Sequence, residues 1–274
     1  MSDLLKRSIV AVVLLGVLAL MLIFGGWIQV AVFTFAAVVS VIEMDRMFRN
    51  KGIRILTPPL FIQAGLQTVL LMLISEYGFP KFSLPALFII VFLYIVTERI
   101  LNGKRTTEDF IATLFVMVYP LLLIMCFGLF GFNRWDVSRM ALFMVFAGPS
   151  MADNNAYLFG SKFGKHKLCP SISPHKTVEG YIAGLIGGPI GGLIVYFMQK
   201  LWGFDIHWAW LVGLGLIGAV IGQFGDLLAS TFKRWSGIKD FGRIFPGHGG
   251  VIDRLDSAMV FAPFVAFIFW YFIR

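Results

Sequence analysis

The chain has 274 residues, of which 58% are hydrophobic and only 14% charged, and its mean hydropathy is +0.85. Soluble domains carry about 25% charged residues, so this composition cannot cover a water-facing surface and excludes a soluble globular protein. The net charge of +8 would raise nucleic acid as a partner in a soluble protein, but here the basic residues collect between apolar runs, and no nucleic-acid partner is expected.

The apolar runs, each about 20 residues long, are the length that crosses a hydrocarbon core. In chain order they fall at 8–24, 27–42, 55–74, 82–97, 110–132, 139–159, 178–199, 208–228 and 250–273. They are continuously apolar rather than alternating, which predicts helices and not a membrane barrel. The expected fold is an all-α integral membrane protein with about nine transmembrane helices. Residues 1–138 make an N-terminal transmembrane region with the first five runs, and 139–274 a C-terminal catalytic region with the last four.

The first run follows Lys6 and Arg7 as a signal peptide would. Hydrophobicity resumes directly after Gly25-Gly26, however, with no polar mature chain, so a retained span is expected. Pro58-Pro59, Pro85 and Pro120 predict kinks or shifted ends in the third, fourth and fifth runs. Lys and Arg between the spans, counting Arg139 at the edge of the sixth, divide 17 to 5 between the two sides, which puts the N-terminus and the even-numbered loops in the cytoplasm and the C-terminus outside. A multi-pass protein of the cytoplasmic membrane is therefore expected, and all seven tryptophans fall in loops or near span ends, as the lipid interface favours.

Gly184, Gly188 and Gly192 recur every four residues in the seventh run, and Gly218 and Gly222 do so in the eighth. Small residues on one helix face let backbones approach closely in lipid. That contact can lie within one protomer or between the protomers of a homo-oligomer, and hydropathy leaves both open. A phosphate-cradling loop is not expected here, because no Gly-Lys-Ser/Thr context is present. Cys126 and Cys169 have no metal-ligand spacing.

The acidic residues divide unevenly. Before residue 150 all of them, Glu43 included, read as loop or span-edge residues, whereas Asp153, Glu179, Asp226, Asp253 and Asp256 lie inside or against spans. An uncompensated Asp at mid-membrane costs roughly 2.5–3.5 kcal/mol. A polar cavity, basic partners or bound cations must offset this, so the active site is expected in the C-terminal half. Helical spacing puts Asp226, Ser230, Lys233 and Arg234 on one face, and Asp253 and Asp256 on another. Clustered carboxylates repel unless protonated or bridged by cations, and oxygen-only ligands favour a hard ion such as Mg²⁺ that arrives with substrate phosphates. The competing reading is a set of helix-end acids paired with Lys233, Arg234 and Arg254, with no chemistry attached.

Residues 230–256 read Ser-Thr-Phe-Lys-Arg-Trp-Ser-Gly-Ile-Lys-Asp-Phe-Gly-Arg-Ile-Phe-Pro-Gly-His-Gly-Gly-Val-Ile-Asp-Arg-Leu-Asp. This stretch resembles the signature of the phosphatidate cytidylyltransferase family, also called CDP-diacylglycerol synthases. Ser230, Lys233, Arg234, Lys239, Asp240, Pro246, His248, Gly249, Gly250, Asp253, Arg254 and Asp256 carry the likeness. Two upstream segments are also similar to the family's: Ala152-Asp153-Asn154-Asn155-Ala156-Tyr157 and Ser173-Pro174-His175-Lys176-Thr177-Val178-Glu179-Gly180. The Asn154-Asn155 pair departs from the small or hydroxyl residues of the family pattern. The likeness covers residues 140–260, and the first five runs match only in hydropathy.

The resemblance implies that the phosphate of phosphatidate attacks the α-phosphorus of CTP, releasing pyrophosphate and forming CDP-diacylglycerol. It implies Asp226 and Asp253 as leading metal ligands with Asp256 and Asp153 in support, Mg²⁺ as the cation and a place for a second. Lys233, Arg234, Lys239, Arg243 and Arg254 would be cationic donors to the phosphates, with Lys176 and Ser230 in the substrate-binding set. Pro246-Gly247-His248-Gly249-Gly250 permits a tight turn whose amides can approach phosphates. His248 either donates to the leaving pyrophosphate or is a hydrogen-bonded turn residue, which geometry must decide. Lipid would enter from the bilayer between helices, and CTP from the cytoplasm. Two alternatives compete: a CTP-dependent lipid-alcohol kinase, and an ion-coupled secondary transporter, which also uses intramembrane acids and glycine-interrupted spans.

Overall fold

The computed structural model of the chain describes residues 3–131 and 135–271. It is helical almost throughout. Six of its helices are long and apolar enough to cross a membrane, a count that holds for the described residues. Among the described residues the chain is an all-α membrane protein but for one short hairpin, and it divides into two compact units, Met1–Asn133 with Trp235–Arg254, and Arg134–Arg234 with Leu255–Arg274.

The first unit contains α1 (Asp3–Phe24), α2 (Gly26–Arg49), α3 (Thr57–Tyr77), α4 (Ser83–Asn102), α5 (Thr107–Val116) and α6 (Leu123–Gly128). Local chemistry sets their ends. α3 opens on Pro58-Pro59, where the missing amides cost nothing, and closes on Gly78 in the left-handed region, beyond which the Phe79 amide bonds back to Leu73 O at 3.1 Å. α5 begins with a capping box: Asp109 N donates to Thr106 Oγ1 at 3.1 Å, and Thr106 N donates to Asp109 Oδ2 at 3.0 Å. The other Asp109 oxygen accepts from Arg54 N at 2.7 Å, tying α5 to the segment before α3.

Of the three expected proline kinks, two are shifted helix starts. Pro85 is the third residue of α4. Only Pro120 breaks a span, in a wide π-type turn over Met117–Leu122 where Tyr119 leaves helical geometry (φ −110, ψ 113). In lipid the carbonyls around such a break need internal donors. α3 supplies two, Gln63 Nε2 to Met117 O at 3.0 Å and Gln67 Nε2 to Leu121 O at 2.9 Å.

The second unit holds α7 (Trp135–Phe163), the antiparallel strands β1 (Lys167–Cys169) and β2 (Ser173–Thr177), α8 (Val178–Gln199), α9 (Trp208–Ser236) and α10 (Ile252–Tyr271), the last two contributing all but their residues nearest the 237–251 loop. The hairpin lies between the sixth and seventh expected spans. α8 is the packing hub. Its Gly184, Gly187 and Gly191 face α7, where an added Cβ would meet the Ala152, Met151 and Ala147 carbonyls, while Gly188 and Gly192 face Gly215 and Leu211 of α9. Gly218 and Gly222 of α9 serve other neighbours, Phe261 of α10 and Pro149 of α7 with Ser257 of α10. These glycine faces pack helices within the protomer.

Eight of the expected apolar runs coincide with one helix each and the fifth with α5, the π-type turn and α6, residues 132 and 272–273 lying outside the described residues; several helices outlast the run. α2 continues to Arg49 and α9 to Ser236, where hydropathy alone would stop at 42 and 228. Helix and apolar run part company because a helix leaving the membrane keeps its own hydrogen bonds while its side chains turn polar.

Candidate active site

In the second unit the motif cations and carboxylates are mounted on α9. This helix is unbroken through Asp226, Ser230, Lys233 and Arg234, so those four side chains emerge on successive turns of one face. Asp226 is ion-paired with Lys176 of β2, each side chain about a quarter exposed (27% and 25%). Arg234 Nε donates to Ile172 O in the hairpin turn at 3.1 Å. The hairpin therefore brings the second upstream segment to α9.

The hairpin is itself held by an acid. Glu179, in the first turn of α8, accepts from the amides of Lys165 (3.1 Å) and His166 (3.2 Å), and its other oxygen lies 2.6 Å from His166 Nδ1. Thr177 caps α8, its Oγ1 accepting from Gly180 N at 3.1 Å. Gly160, Gly164 and Gly180 crowd Thr177 so closely that a Cβ at any of them would press on its side chain.

Asp256, on α10, is buried and lies within electrostatic range of Asp226, Lys233 and Asp153; its Oδ1 accepts from Ser257 N at 2.8 Å. Asp153 is exposed on α7. The second unit thus gathers three of the four expected carboxylates around two lysines. Asp226 takes a hairpin lysine as a partner, one that the helix-end pairing with Lys233, Arg234 and Arg254 did not include.

In the first unit the 237–251 loop has a different character. Pro246 and Gly247 occupy the centre of a type II turn, with Gly247 at φ +77 and His248 N donating to Phe245 O at 2.8 Å. Phe245 N returns a bond to Gly249 O at 3.0 Å, closing a small loop. Inside it His248 Nδ1 is buried and has no hydrogen-bond partner among the described residues. Lys239, Asp240, Arg243 and Arg254 are exposed around it.

Asp253 opens α10 and folds back, its Oδ2 accepting from Phe241 N at 2.8 Å and from Gly250 N at 2.9 Å. Gly249, at φ +81, leaves room for that carboxylate, since a Cβ there would meet Asp253 Oδ2 at 2.7 Å. The next two amides go to a residue that sequence reasoning placed at a span edge. Glu43 of α2 is buried, and it accepts from Val251 N (Oε1, 2.8 Å) and Ile252 N (Oε2, 2.9 Å). A Cβ at Gly242 or Gly250 would collide with the Glu43 carboxylate. Of the amides expected to approach phosphates, that of Gly250 is thus already held by a carboxylate.

Mg²⁺ was expected from the donor chemistry, and the donors in place are oxygen-only. Among the described residues no group of three or more His, Cys, Asp or Glu converges in a metal-holding arrangement. Mg²⁺ is commonly held by one or two carboxylates plus waters and substrate phosphates, so this donor set fits an ion that arrives with a nucleotide.

Comparison with known proteins agrees with the motif. Residues 5–272 match the family model described as "Cytidylyltransferase family". A Staphylococcus haemolyticus protein named phosphatidate cytidylyltransferase is 32% identical over 259 residues, 94% of this chain and 95% of its own length. A Staphylococcus aureus protein of the same name is 33% identical with the same coverage, and one from Staphylococcus epidermidis is 32% identical over 261 residues.

Proposed function

The chain belongs to the cytidylyltransferase family, and from that membership we propose that it transfers the cytidylyl group of CTP to phosphatidate, giving CDP-diacylglycerol and pyrophosphate. The observation that carries this reading is the near end-to-end match to relatives named for that reaction. The 230–256 motif and the charge clusters around it support it.

In the reaction an anionic oxygen of phosphatidate forms a bond to the α-phosphorus of CTP, and the bond from that phosphorus to the bridging oxygen of the leaving pyrophosphate breaks. The nucleophile is already ionised, so no strong general base is needed, and catalysis rests on positioning and charge neutralisation. Lys233 and Lys176 in the second unit, and Lys239, Arg243 and Arg254 in the first, are the donors to phosphate oxygens, joined by Arg234 and Ser230 on α9. His248, whose Nδ1 is buried without a hydrogen-bond partner among the described residues, donates to the leaving pyrophosphate. Asp226 would hold Mg²⁺ in the second unit, with Asp256 and Asp153 as supporting candidates, and Asp253 is the candidate ligand of the first. A carboxylate offers about four acceptor sites, so two amides at one oxygen do not exhaust Asp253. The bound cation supplies neutralisation of the triphosphate.

Nine spans, a cytoplasmic N-terminus, an external C-terminus and residence in the bacterial cytoplasmic membrane complete the reading; the charge asymmetry supports the orientation. Labelled CTP and phosphatidate supplied to the purified protein in micelles should give labelled CDP-diacylglycerol. CDP released with a newly phosphorylated lipid would indicate a kinase instead, and neither product would reopen the transporter reading. Single cysteines near Lys51, Lys104, Lys167 and Lys239 should resist an impermeant thiol reagent in intact cells while one appended after Arg274 reacts; reversed labelling overturns the orientation.

A further inference from the structure

The first turn of any helix leaves amides without intrahelical partners, and a Ser, Thr, Asp or Asn just ahead of it normally accepts from them. α10 has none of these at its start, which reads Gly250-Val251-Ile252. Its cap is instead split between two carboxylates. Asp253 takes the Gly250 amide, and Glu43, 208 and 209 residues away in sequence, takes Val251 and Ile252.

Three features show that this contact is built rather than incidental. Glu43 is only 4% exposed, and both of its oxygens accept. Two glycines, 242 and 250, border its carboxylate on ground where a side chain would collide with it. Asp253 takes the amide just before those two, Gly250 N at 2.9 Å, so three successive amides at the loop's end are all held by carboxylates. Around the same helix, Phe48 and Trp235 meet edge to face at 5.8 Å, and Lys51 Nζ lies 5.8 Å from the Trp235 ring centroid. The end of α2 is thus a platform for the motif loop.

We propose that Glu43 is a positioning residue for cytidylyl transfer, holding residues 241–254 on α2 so that Asp253 and Arg254 are presented in one fixed arrangement. The proposal rests on the functional reading above, which places those residues in the reaction. Glu43 does not touch substrate. Its carboxylate fixes the backbone from which Asp253 and Arg254 project, and a small displacement of such groups is costly to the transition state.

The test is Glu43→Gln, which keeps shape and volume but sets an amide donor against one of the two N–H groups. The full-length protein should remain inserted and monodisperse in detergent. Hydrogen exchange should rise in the 241–254 segment and stay unchanged in α8, while kcat falls by roughly 100-fold and KM for CTP moves far less. Glu43→Asp keeps the charge, and should recover part of the lost kcat. A folded Glu43→Gln protein with wild-type kcat overturns the proposal. So does a loss confined to KM, which would make Glu43 a binding group. Should Glu43→Gln fail to fold, Glu43→Asp decides alone: wild-type kcat overturns the proposal, and reduced kcat with unchanged KM supports it. If the wild-type protein forms no CDP-diacylglycerol, the functional reading fails and the proposal with it, an outcome separate from an active wild type with an indifferent Glu43.

Discussion

The two compact units handle negative charge differently. In the first, carboxylates are satisfied by backbone amides: Glu43 by Val251 and Ile252, Asp253 by Phe241 and Gly250, Asp109 by Arg54 and Thr106. In the second, the partly exposed Asp226 meets a lysine side chain, and buried Asp256, though it accepts from Ser257 N, shares the field of Lys233 with two other acids. An amide cannot leave without unfolding the backbone, but a lysine can rotate away and be replaced by a metal ion or follow a phosphate. The first arrangement builds shape, and the second holds charges that can be exchanged. Glu179, bonded to two amides at the base of the hairpin, shows that the second unit uses the shape-building device too, away from α9.

That contrast can be broken most directly at Asp226. Asp226→Asn should leave a folded, inserted protein whose cytidylyl transfer drops by several orders of magnitude and is poorly rescued across a Mg²⁺ titration. Near-normal turnover would remove the exchangeable-charge reading. Next comes Lys233→Ala, expected to weaken use of limiting CTP by about 1.5–3 kcal/mol, the value of a charge-assisted contact. Lys176→Met should likewise slow turnover at low CTP while changing unfolding in detergent by less than about 1 kcal/mol, since a partly exposed ion pair adds little stability.

Asp109, an amide-bound acid that the reaction does not use, should behave the other way. Asp109→Ala strands the Arg54 and Thr106 amides, and should cost about 1–3 kcal/mol of stability with activity preserved at temperatures where the protein stays folded. A loss of activity without a loss of stability would erase the distinction between the units. The smallest effect is expected at Gln67→Leu, which removes the donor to Leu121 O, because intramembrane hydrogen bonds average about 0.6 kcal/mol.

The membrane-spanning helices were legible because hydrophobic length is a one-dimensional signal. Where helices end was less so: Ile42-Glu43-Met44 closes an apolar run but sits inside α2, which continues through Arg46 and Arg49. That misplaced end hid Glu43. No pattern in a single sequence links it to amides more than 200 residues away, although an acid flanked by apolar residues one turn before a basic cluster was a visible hint. The residue types of the 230–256 motif were legible, but their partners were not. Lys176 reaches Asp226 because residues 167–177 fold as a hairpin, and the charges and prolines of that stretch conceal its strands. Backbone hydrogen bonding decided there what side-chain pattern could not.

The glycine seams of α8 carry a consequence for the lipid substrate. Where Gly184, Gly187 and Gly191 meet α7, and Gly188 and Gly192 meet α9, there is no room even for a methyl group. An acyl chain is wider than a methyl group, so at these levels neither seam can part to admit one while the helices keep this packing. Of all the lines along the second unit where a two-tailed molecule could slip in sideways from the bilayer, these two are welded shut.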